Sequence, residues 1–126
     1  MGLFLIADDS PPKRVMLHAA LKRARWDGEI MEASTTEEAM ALIDGHPSIA
    51  AAFIDYQMPS ANGPAVIAHL RSTNPAAKIA LVTAADNATY EQEARAAGAE
   101  AFICTSWTGD HLERVLQETL RHWQAA

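Results

Sequence analysis

The stretch AAFIDYQMPSANG, residues 51–63, decides how the rest of the sequence is interpreted. It opens with four apolar residues, 51–54, a run of strand length with little alternation, as expected for a strand buried on both faces of a sheet. That run ends at Asp55, and Gly63-Pro64 then places a proline in the first turn of a helix. The stretch therefore predicts a buried strand, a loop that begins with a carboxylate, and a helix.

Four further apolar runs, each followed by a helical pattern, predict that this βα unit occurs five times. The predicted strands are 3–7, 30–33, 51–54, 78–83 and 101–104, and the predicted helices are 12–26, 35–44, 63–72, 87–97 and 109–123. Five units are too few for an eight-stranded barrel, and right-handed crossovers then give an open parallel sheet with helices on both faces. We expect an α/β fold of the flavodoxin-like (βα)5 type, a three-layer sandwich with strand order 2-1-3-4-5, in which the less apolar second strand lies at an edge.

Length and composition bound the class of protein. With 126 residues, 49% of them apolar, the chain fits a single domain that spans 1–126. The single cysteine, Cys104, cannot form an internal disulfide, and we expect a cytoplasmic protein. No apolar run reaches the ~20 residues needed to cross a bilayer, so no membrane partner is expected. The net charge of −6 disfavours direct binding to nucleic acid, because phosphate backbones bind clustered Lys and Arg.

Oxygen-bearing side chains follow three of the predicted strands, at the edge where open parallel sheets bind ligands. Asp8 and Asp9 follow the first strand, Asp55 follows the third, and Thr83 ends the fourth. Converging carboxylates repel one another unless a cation joins them, and oxygen ligands suit Mg²⁺ better than zinc. Taken alone, the Asp8-Asp9 pair is more typical of a helix-capping turn. Together with the third carboxylate it predicts a magnesium site.

Four segments, LFLIADDS, AAFIDYQMPSANG, LVTA and GAEAFI, together resemble the receiver domain of two-component response regulators, of the chemotaxis-regulator type. The resemblance covers essentially the whole chain. It implies a phosphorelay protein in which Asp55 is the phosphoacceptor and a histidine kinase or phosphotransfer protein is the donor. It also implies that the chain is no enzyme, beyond slow self-catalysed phosphorylation and dephosphorylation.

The resemblance implies a role for each remaining residue of the predicted site. Asp8 and Asp9 resemble the Mg²⁺-binding acids, and the backbone carbonyl of Gln57 completes the protein ligands. Thr83 resembles the switch hydroxyl that moves onto the phosphoryl group, and Phe102 resembles the aromatic rotamer partner on the fifth strand. An output protein is expected to bind the face formed by the fourth helix, the fifth strand and the fifth helix.

One departure from the family pattern falls at the end of the fifth strand, where Thr105-Ser106 stands in place of Lys-Pro. In the family that Lys pairs with the acceptor carboxylate and then with the phosphoryl group, and a charge-assisted hydrogen bond is typically worth ~1.5–3 kcal/mol. Its loss predicts weakened switching. Lys13 or Arg14, early in the first helix, could reach the site and compensate, but basic residues there more often lie along the surface, which is the favoured expectation. Without proline the cis isomer costs ~2.5–4 kcal/mol, so the Thr105–Ser106 bond is expected to be trans.

Two hypotheses remain open. The first is a phosphorylatable receiver with weakened switching, and the second is a pseudo-receiver that acts as a protein-interaction module without depending on phosphate. The intact acids favour the first, because mutually repelling carboxylates are costly without a metal or phosphate to bind. Two enzyme or cofactor classes fit less well. A haloacid-dehalogenase phosphatase would have a second Asp where Gln57 stands, and a flavodoxin would have a phosphate loop where DDSPPK stands.

Overall fold

The computed structural model describes residues 2–125, in which five strands alternate with five helices. The domain bounds predicted at 1–126 therefore extend one residue beyond the described chain at each end. The strands are β1 (Leu3–Ala7), β2 (Ile30–Ala33), β3 (Ile49–Ile54), β4 (Lys78–Thr83) and β5 (Ala101–Cys104). The helices are α1 (Pro11–Arg23), α2 (Thr36–Gly45), α3 (Gly63–Thr73), α4 (Ala88–Ala97) and α5 (Gly109–Ala125).

The sheet is parallel throughout and has the order β2-β1-β3-β4-β5, which confirms the predicted topology and places β2 at an edge. Side chains alternate between its two faces, as the pleat requires. Along β1, Phe4 and Ile6 pack with α1 and α5, whereas Leu5 and Ala7 pack with α2, α3 and α4. The result is the predicted three-layer sandwich with one apolar core on each side of the sheet.

The predicted boundaries differ from the structure by one residue at several helix ends, by two at the end of α5 and the start of β3, and by three at the end of α1. Helix α1 was expected to continue to residue 26 but ends at Arg23, because Arg25 has a left-handed φ of 58° that breaks the helical path. The bend lets the Trp26 ring contact Phe4 edge-on, with the ring centroids 5.0 Å apart. Strand β3 begins at Ile49 instead of residue 51, since Ile49 already pairs with Leu3 across a bulge.

Strands β1, β3, β4 and β5 are neighbours in the parallel sheet, so their carboxyl ends lie side by side at the same end of the strands. Ala7 is in register with Ile54, and Thr83 with Cys104. The residues that follow these strands are therefore neighbours in space. Among residues 2–125, none of the helices combines the length and the apolar character that a membrane crossing requires.

Candidate functional site

Three carboxylates meet at this edge of the sheet, as the sequence predicts. Asp8 and Asp9 follow β1 and Asp55 follows β3, where Asp55 N donates a 2.9 Å hydrogen bond to the Ala7 carbonyl. One oxygen from each of the three carboxylates lies within 4.8 Å of the other two. Asp8 and Asp55 are buried, and Asp9 is exposed. The cluster is therefore open to solvent on the side of Asp9.

Asp8 is the most buried of the three acids, at 1% exposure. Its Oδ1 accepts a 2.9 Å hydrogen bond from the backbone N–H of Ser10, which caps α1. Its Oδ2 is shielded from water, and the group within 2–125 that contacts it is the Lys13 ammonium. A buried carboxylate oxygen in this state calls for a cation.

Lys13 supplies one cation from the first turn of α1. Its Nζ lies 2.8 Å from Asp8 Oδ2 and 3.0 Å from Asp55 Oδ1, and it donates a 2.7 Å hydrogen bond to the Val82 carbonyl. The expectation that Lys13 lies along the surface is wrong, because its side chain is only 12% exposed and points into the acidic cluster. Arg14 instead spans the rim of the site, with Nη1 donating to the Asp8 carbonyl at 2.7 Å.

The start of α1 holds the Lys13 backbone in place. The Ser10 hydroxyl oxygen accepts a hydrogen bond from Lys13 N at 3.3 Å, as an N-cap side chain does. Pro11 and Pro12 occupy the first two helical positions, where their fixed φ matches the helix. This rigid start directs the Lys13 side chain toward the ends of β1, β3 and β4.

Asp55 lies at the centre of the cluster, and its electrostatics reflect competing neighbours. Burial raises the pKa of its carboxyl above the ordinary value; the Lys13 ammonium opposes that rise, and the Asp8 carboxylate adds to it. Asp55 Oδ1 also accepts a 2.8 Å hydrogen bond from Tyr56 N. The contacts from Lys13 and from Tyr56 N thus fall on the same oxygen of Asp55.

A cavity of about 370 Å³ opens beside these groups. It is lined by Asp8, Ser10, Lys13, Asp55, Gln57, Thr83, Ala84 and Ala85. Thr83, at 3% exposure, accepts a hydrogen bond from Ala85 N at 3.4 Å, so its hydroxyl oxygen has the local backbone contact of an ordinary strand-end Thr while it also borders the cavity. The cavity therefore brings the predicted acceptor, two further predicted metal ligands, Asp8 and Gln57, and the predicted switch hydroxyl together.

The residue that follows β5 pairs with β4 but does not line this cavity. Thr105 N donates a 2.8 Å hydrogen bond to the Thr83 carbonyl, but of the residues that the structure describes, Thr105 is not one that lines the cavity. Within residues 2–125 every peptide bond is trans, so the expected trans Thr105–Ser106 bond is confirmed. Phe102 is half-buried on β5, and its ring contacts Trp107 with the centroids 6.4 Å apart.

The model of the response regulator receiver domain matches residues 4–117 of this sequence. The chain belongs to the response regulator receiver domain family. Receiver domains bind Mg²⁺ at a pocket of Asp side chains and are phosphoacceptors, and the acids of this chain form such a pocket.

The chain is similar to one curated protein and to several solved receiver structures. The glycerol metabolism activator of Pseudomonas putida is 26% identical over 120 residues, which cover 95% of this chain and 54% of that protein. The chain thus spans about half the length of the curated relative.

The solved structures show the same fold. A CheY-like receiver domain protein of Methanospirillum hungatei superposes with a TM-score of 0.80 at 22% identity, covering 99% of this chain and 98% of the other. A Vibrio cholerae chemotaxis protein gives a TM-score of 0.76 at 25% identity over 94% and 98% of the two chains. A Burkholderia pseudomallei response regulator, solved with a phosphorylated aspartic acid and a calcium ion, gives 0.77 at 22% identity over 99% and 72%.

The receiver pocket fits a divalent metal by its donor chemistry. The available side-chain ligands are carboxylate oxygens, which hard cations such as Mg²⁺ prefer. Asp8 Oδ2 is a buried carboxylate oxygen that already faces a positive charge, the Lys13 ammonium at 2.8 Å. The exposed Asp9 at the rim adds a carboxylate that a metal ion can reach from solvent.

Two features of this receiver domain were missed from the sequence. The first is the buried position of Lys13, which the sequence offered only as a disfavoured alternative; a signal was present, since a Lys in the first turn of a helix opposes the helix dipole and needs another reason to be there. The second is the stack of Tyr56 on Tyr90, with centroids 3.6 Å apart, reinforced by the Tyr56 hydroxyl donating to Glu93 at 2.5 Å. The stack joins the residue after Asp55 to α4, and no spacing rule in the sequence indicates it.

Proposed function

We propose that this receiver domain accepts a phosphoryl group on Asp55 from a histidine kinase or phosphotransfer protein. The observation that carries the proposal is the position of Asp55: buried, central to three carboxylates, and beside a cavity that Thr83 also lines. The Burkholderia response regulator solved with a phosphorylated aspartic acid and a calcium ion supports the same chemistry on this fold.

In the proposed site Asp8, Asp9, Asp55 and the backbone carbonyl of Gln57 would hold Mg²⁺. When bound, the metal neutralises negative charge between the acceptor carboxylate and the incoming phosphoryl group. Because the contacts from Lys13 and Tyr56 N both fall on Oδ1 of Asp55, Oδ2 is the oxygen available to attack phosphorus.

The transfer is a displacement at phosphorus. A bond forms between Asp55 Oδ2 and phosphorus, the bond from phosphorus to the donor imidazole nitrogen breaks, and its electron pair stays on that nitrogen, which takes up a proton. Thr83 would then donate its hydroxyl hydrogen to a phosphoryl oxygen. Only positioning and charge stabilisation are asked of the protein, as is general for phosphoryl transfer.

We place the output surface on α4, β5 and α5. Tyr56 follows Asp55 directly and stacks on Tyr90 of α4, so a change at Asp55 has a packed route to that face. Phe102 on β5 would change rotamer with Thr83. The proposal includes a histidine kinase or phosphotransfer protein as donor and an output protein as partner. It also includes a cytoplasmic location.

Intact-mass measurement after incubation with acetyl phosphate and Mg²⁺ tests the proposal. We expect one phosphoryl group on the wild-type chain and none on Asp55→Asn. Asp86→Asn, which changes an exposed acid in the loop before α4, is the matched control and should behave as wild type. A wild-type chain that gains no phosphoryl group, or an Asp55→Asn variant that still gains one, contradicts the proposal.

One observation favours the pseudo-receiver as the second candidate. Lys13 already pairs with Asp8 and Asp55, so two of the three acids are neutralised in part without metal or phosphate. The electrostatic argument for phosphorylation is weaker than the sequence suggests. The same mass measurement separates the two, since a pseudo-receiver remains unmodified under every donor condition.

A further inference from the structure

The ammonium group of Lys13 has three N–H donors, and three oxygens lie within 3.0 Å of it. They belong to Asp8, Asp55 and the Val82 carbonyl, one from each of the loops or strands that border the cavity. A side chain held by three separate elements has a defined position, unlike a surface lysine. Its nitrogen therefore occupies a fixed place at the acceptor carboxylate.

The local sequence gives no structural reason for a lysine at this position. The first turn of α1 contains no acidic residue, and a cation there opposes the positive end of the helix dipole. Burying an ammonium also carries a desolvation cost, which its partners must offset. A residue that conflicts with local preference and is nevertheless buried in a charged site is a candidate for a functional role.

We propose that Lys13 is the residue that binds the phosphoryl group on Asp55, so that this receiver takes its phosphoryl-binding cation from α1 and not from the end of β5. The inference rests on the proposed function of Asp55. Thr105, at the place where the family has Lys, is neutral and lies outside the cavity lining, whereas Lys13 lines the cavity and already contacts the acceptor. The prediction of weakened switching assumed a site without such a cation.

Two measurements together separate a binding role from a merely structural role for Lys13, and the sign of the change in Mg²⁺ affinity is what differs. If Lys13 binds the phosphoryl group, removing its charge weakens binding of a phosphoryl analogue. The same change tightens binding of Mg²⁺ alone, because one positive charge no longer opposes the metal. If Lys13 only holds Asp8 and Asp55 in place, its removal disturbs the carboxylates and weakens both.

The experiment uses Lys13→Met, which keeps most of the length of the side chain and removes the charge, with Lys22→Met on the exposed part of the same helix as the matched control. Beryllofluoride with Mg²⁺ is the phosphoryl probe, and Mg²⁺ alone is the metal probe. We expect Lys13→Met to bind beryllofluoride about ten- to a hundredfold more weakly. We expect it to bind Mg²⁺ alone more tightly, by on the order of tenfold. Lys22→Met should change neither.

Three outcomes overturn the inference. Unchanged beryllofluoride affinity in Lys13→Met, or both affinities reduced together, refutes the role of Lys13 while leaving the proposed function intact, provided that the wild type binds the probe. A wild-type chain that neither binds beryllofluoride nor takes up a phosphoryl group refutes both proposals. Lys13→Arg and Lys13→Gln, compared with each other, repeat the test if Lys13→Met does not fold: Arg should retain more beryllofluoride binding than Gln, and equal binding contradicts the inference.

Discussion

The two sides of the candidate site are built differently. On the side of α1 and β3, Asp8, Lys13 and Asp55 are largely buried, and their backbone is fixed by a capped helix and by neighbouring strands. On the side of β5 and α5, Ser106 is exposed and the chain turns into α5 through Gly109, which has a left-handed φ of 49° and open space around it.

This difference shows where a buried charge can be held. An ammonium at the acceptor is stabilising only when its partners are close and well oriented, because desolvation otherwise outweighs the attraction. The rigid start of α1 provides that precision, and the loop after β5 has neither a buried acid nor a proline to fix it. The position of the cation at Asp55 therefore does not depend on the loop after β5. The cation can come from α1 while that loop makes aromatic contacts.

The largest effect is expected on the free energy of unfolding when a glycine on one side of the site, and then one on the other, is replaced by alanine. A Cβ at Gly63 would overlap the Asp55 carbonyl oxygen, so Gly63→Ala must displace the backbone of the acceptor. We expect a loss of roughly 3 kcal/mol in the free energy of unfolding, measured by urea denaturation. Gly109→Ala meets open space and should cost only about 1 kcal/mol for its left-handed φ. Equal losses of unfolding free energy in the two variants would contradict the difference in packing between the side of α1 and β3 and the side of β5 and α5.

Moving the cation across the site should have the next largest effect. In the Lys13→Met background, Thr105→Lys restores a positive charge near the acceptor and should raise beryllofluoride affinity by about tenfold or more. In the wild-type background Lys13 already supplies the charge, so the same substitution should change affinity by less than about threefold. Beryllofluoride titrations of the wild type, the two single variants and the double variant give the coupling free energy between positions 13 and 105. The same factor in both backgrounds would show that the two positions do not share a role.

A smaller effect is expected from changes to the contact between Tyr56, which follows the acceptor, and α4. Tyr56→Phe removes the hydrogen bond to Glu93 but keeps the ring that stacks on Tyr90, and the free energy of unfolding should fall by about 1 kcal/mol or less because Glu93 is exposed. The same hydrogen bond raises the pKa of the Tyr56 hydroxyl, so tyrosinate absorbance should appear at lower pH after Glu93→Gln. Glu118→Gln, which removes an exposed carboxylate on α5, is the control, and it should leave the Tyr56 titration in place.

The smallest effect concerns pH, measured on metal-free protein. The pKa of Asp55 is raised by burial, so the folded chain holds this proton more tightly than the unfolded chain. The stability that the protonated carboxyl contributes is complete below the unfolded pKa of about 3.9 and is lost as pH rises through the folded value. The urea midpoint of Asp55→Asn relative to wild type should therefore increase over that window and then level off. A relative midpoint that decreases instead would mean that Lys13 outweighs burial.

Much of the fold follows from short-range patterns in the sequence. Five apolar runs of strand length, separated by helical patterns with identifiable caps, are enough to predict the elements and the order of the sheet. The errors lie at ends that tertiary contacts decide. Arg25 stops α1 early so that Trp26 can pack on Phe4, and Ile49 joins β3 because Leu3 is there to pair with it.

The acidic cluster was equally accessible to sequence reasoning, because parallel strands bring their carboxyl ends to one edge and so bring Asp8, Asp9 and Asp55 together. The partners of the cluster were not accessible. Lys13 lies 42 positions before Asp55 and 69 before Val82, and the direction of a long flexible side chain is set by which oxygens the folded chain places within its reach. The sequence by itself determined the βα order, the layers and the edge where the acids gather, since these follow from periodicity and chain direction. Only the tertiary structure decided that the cation at the acceptor comes from α1, because that depends on distances of about 3 Å between residues from separate elements.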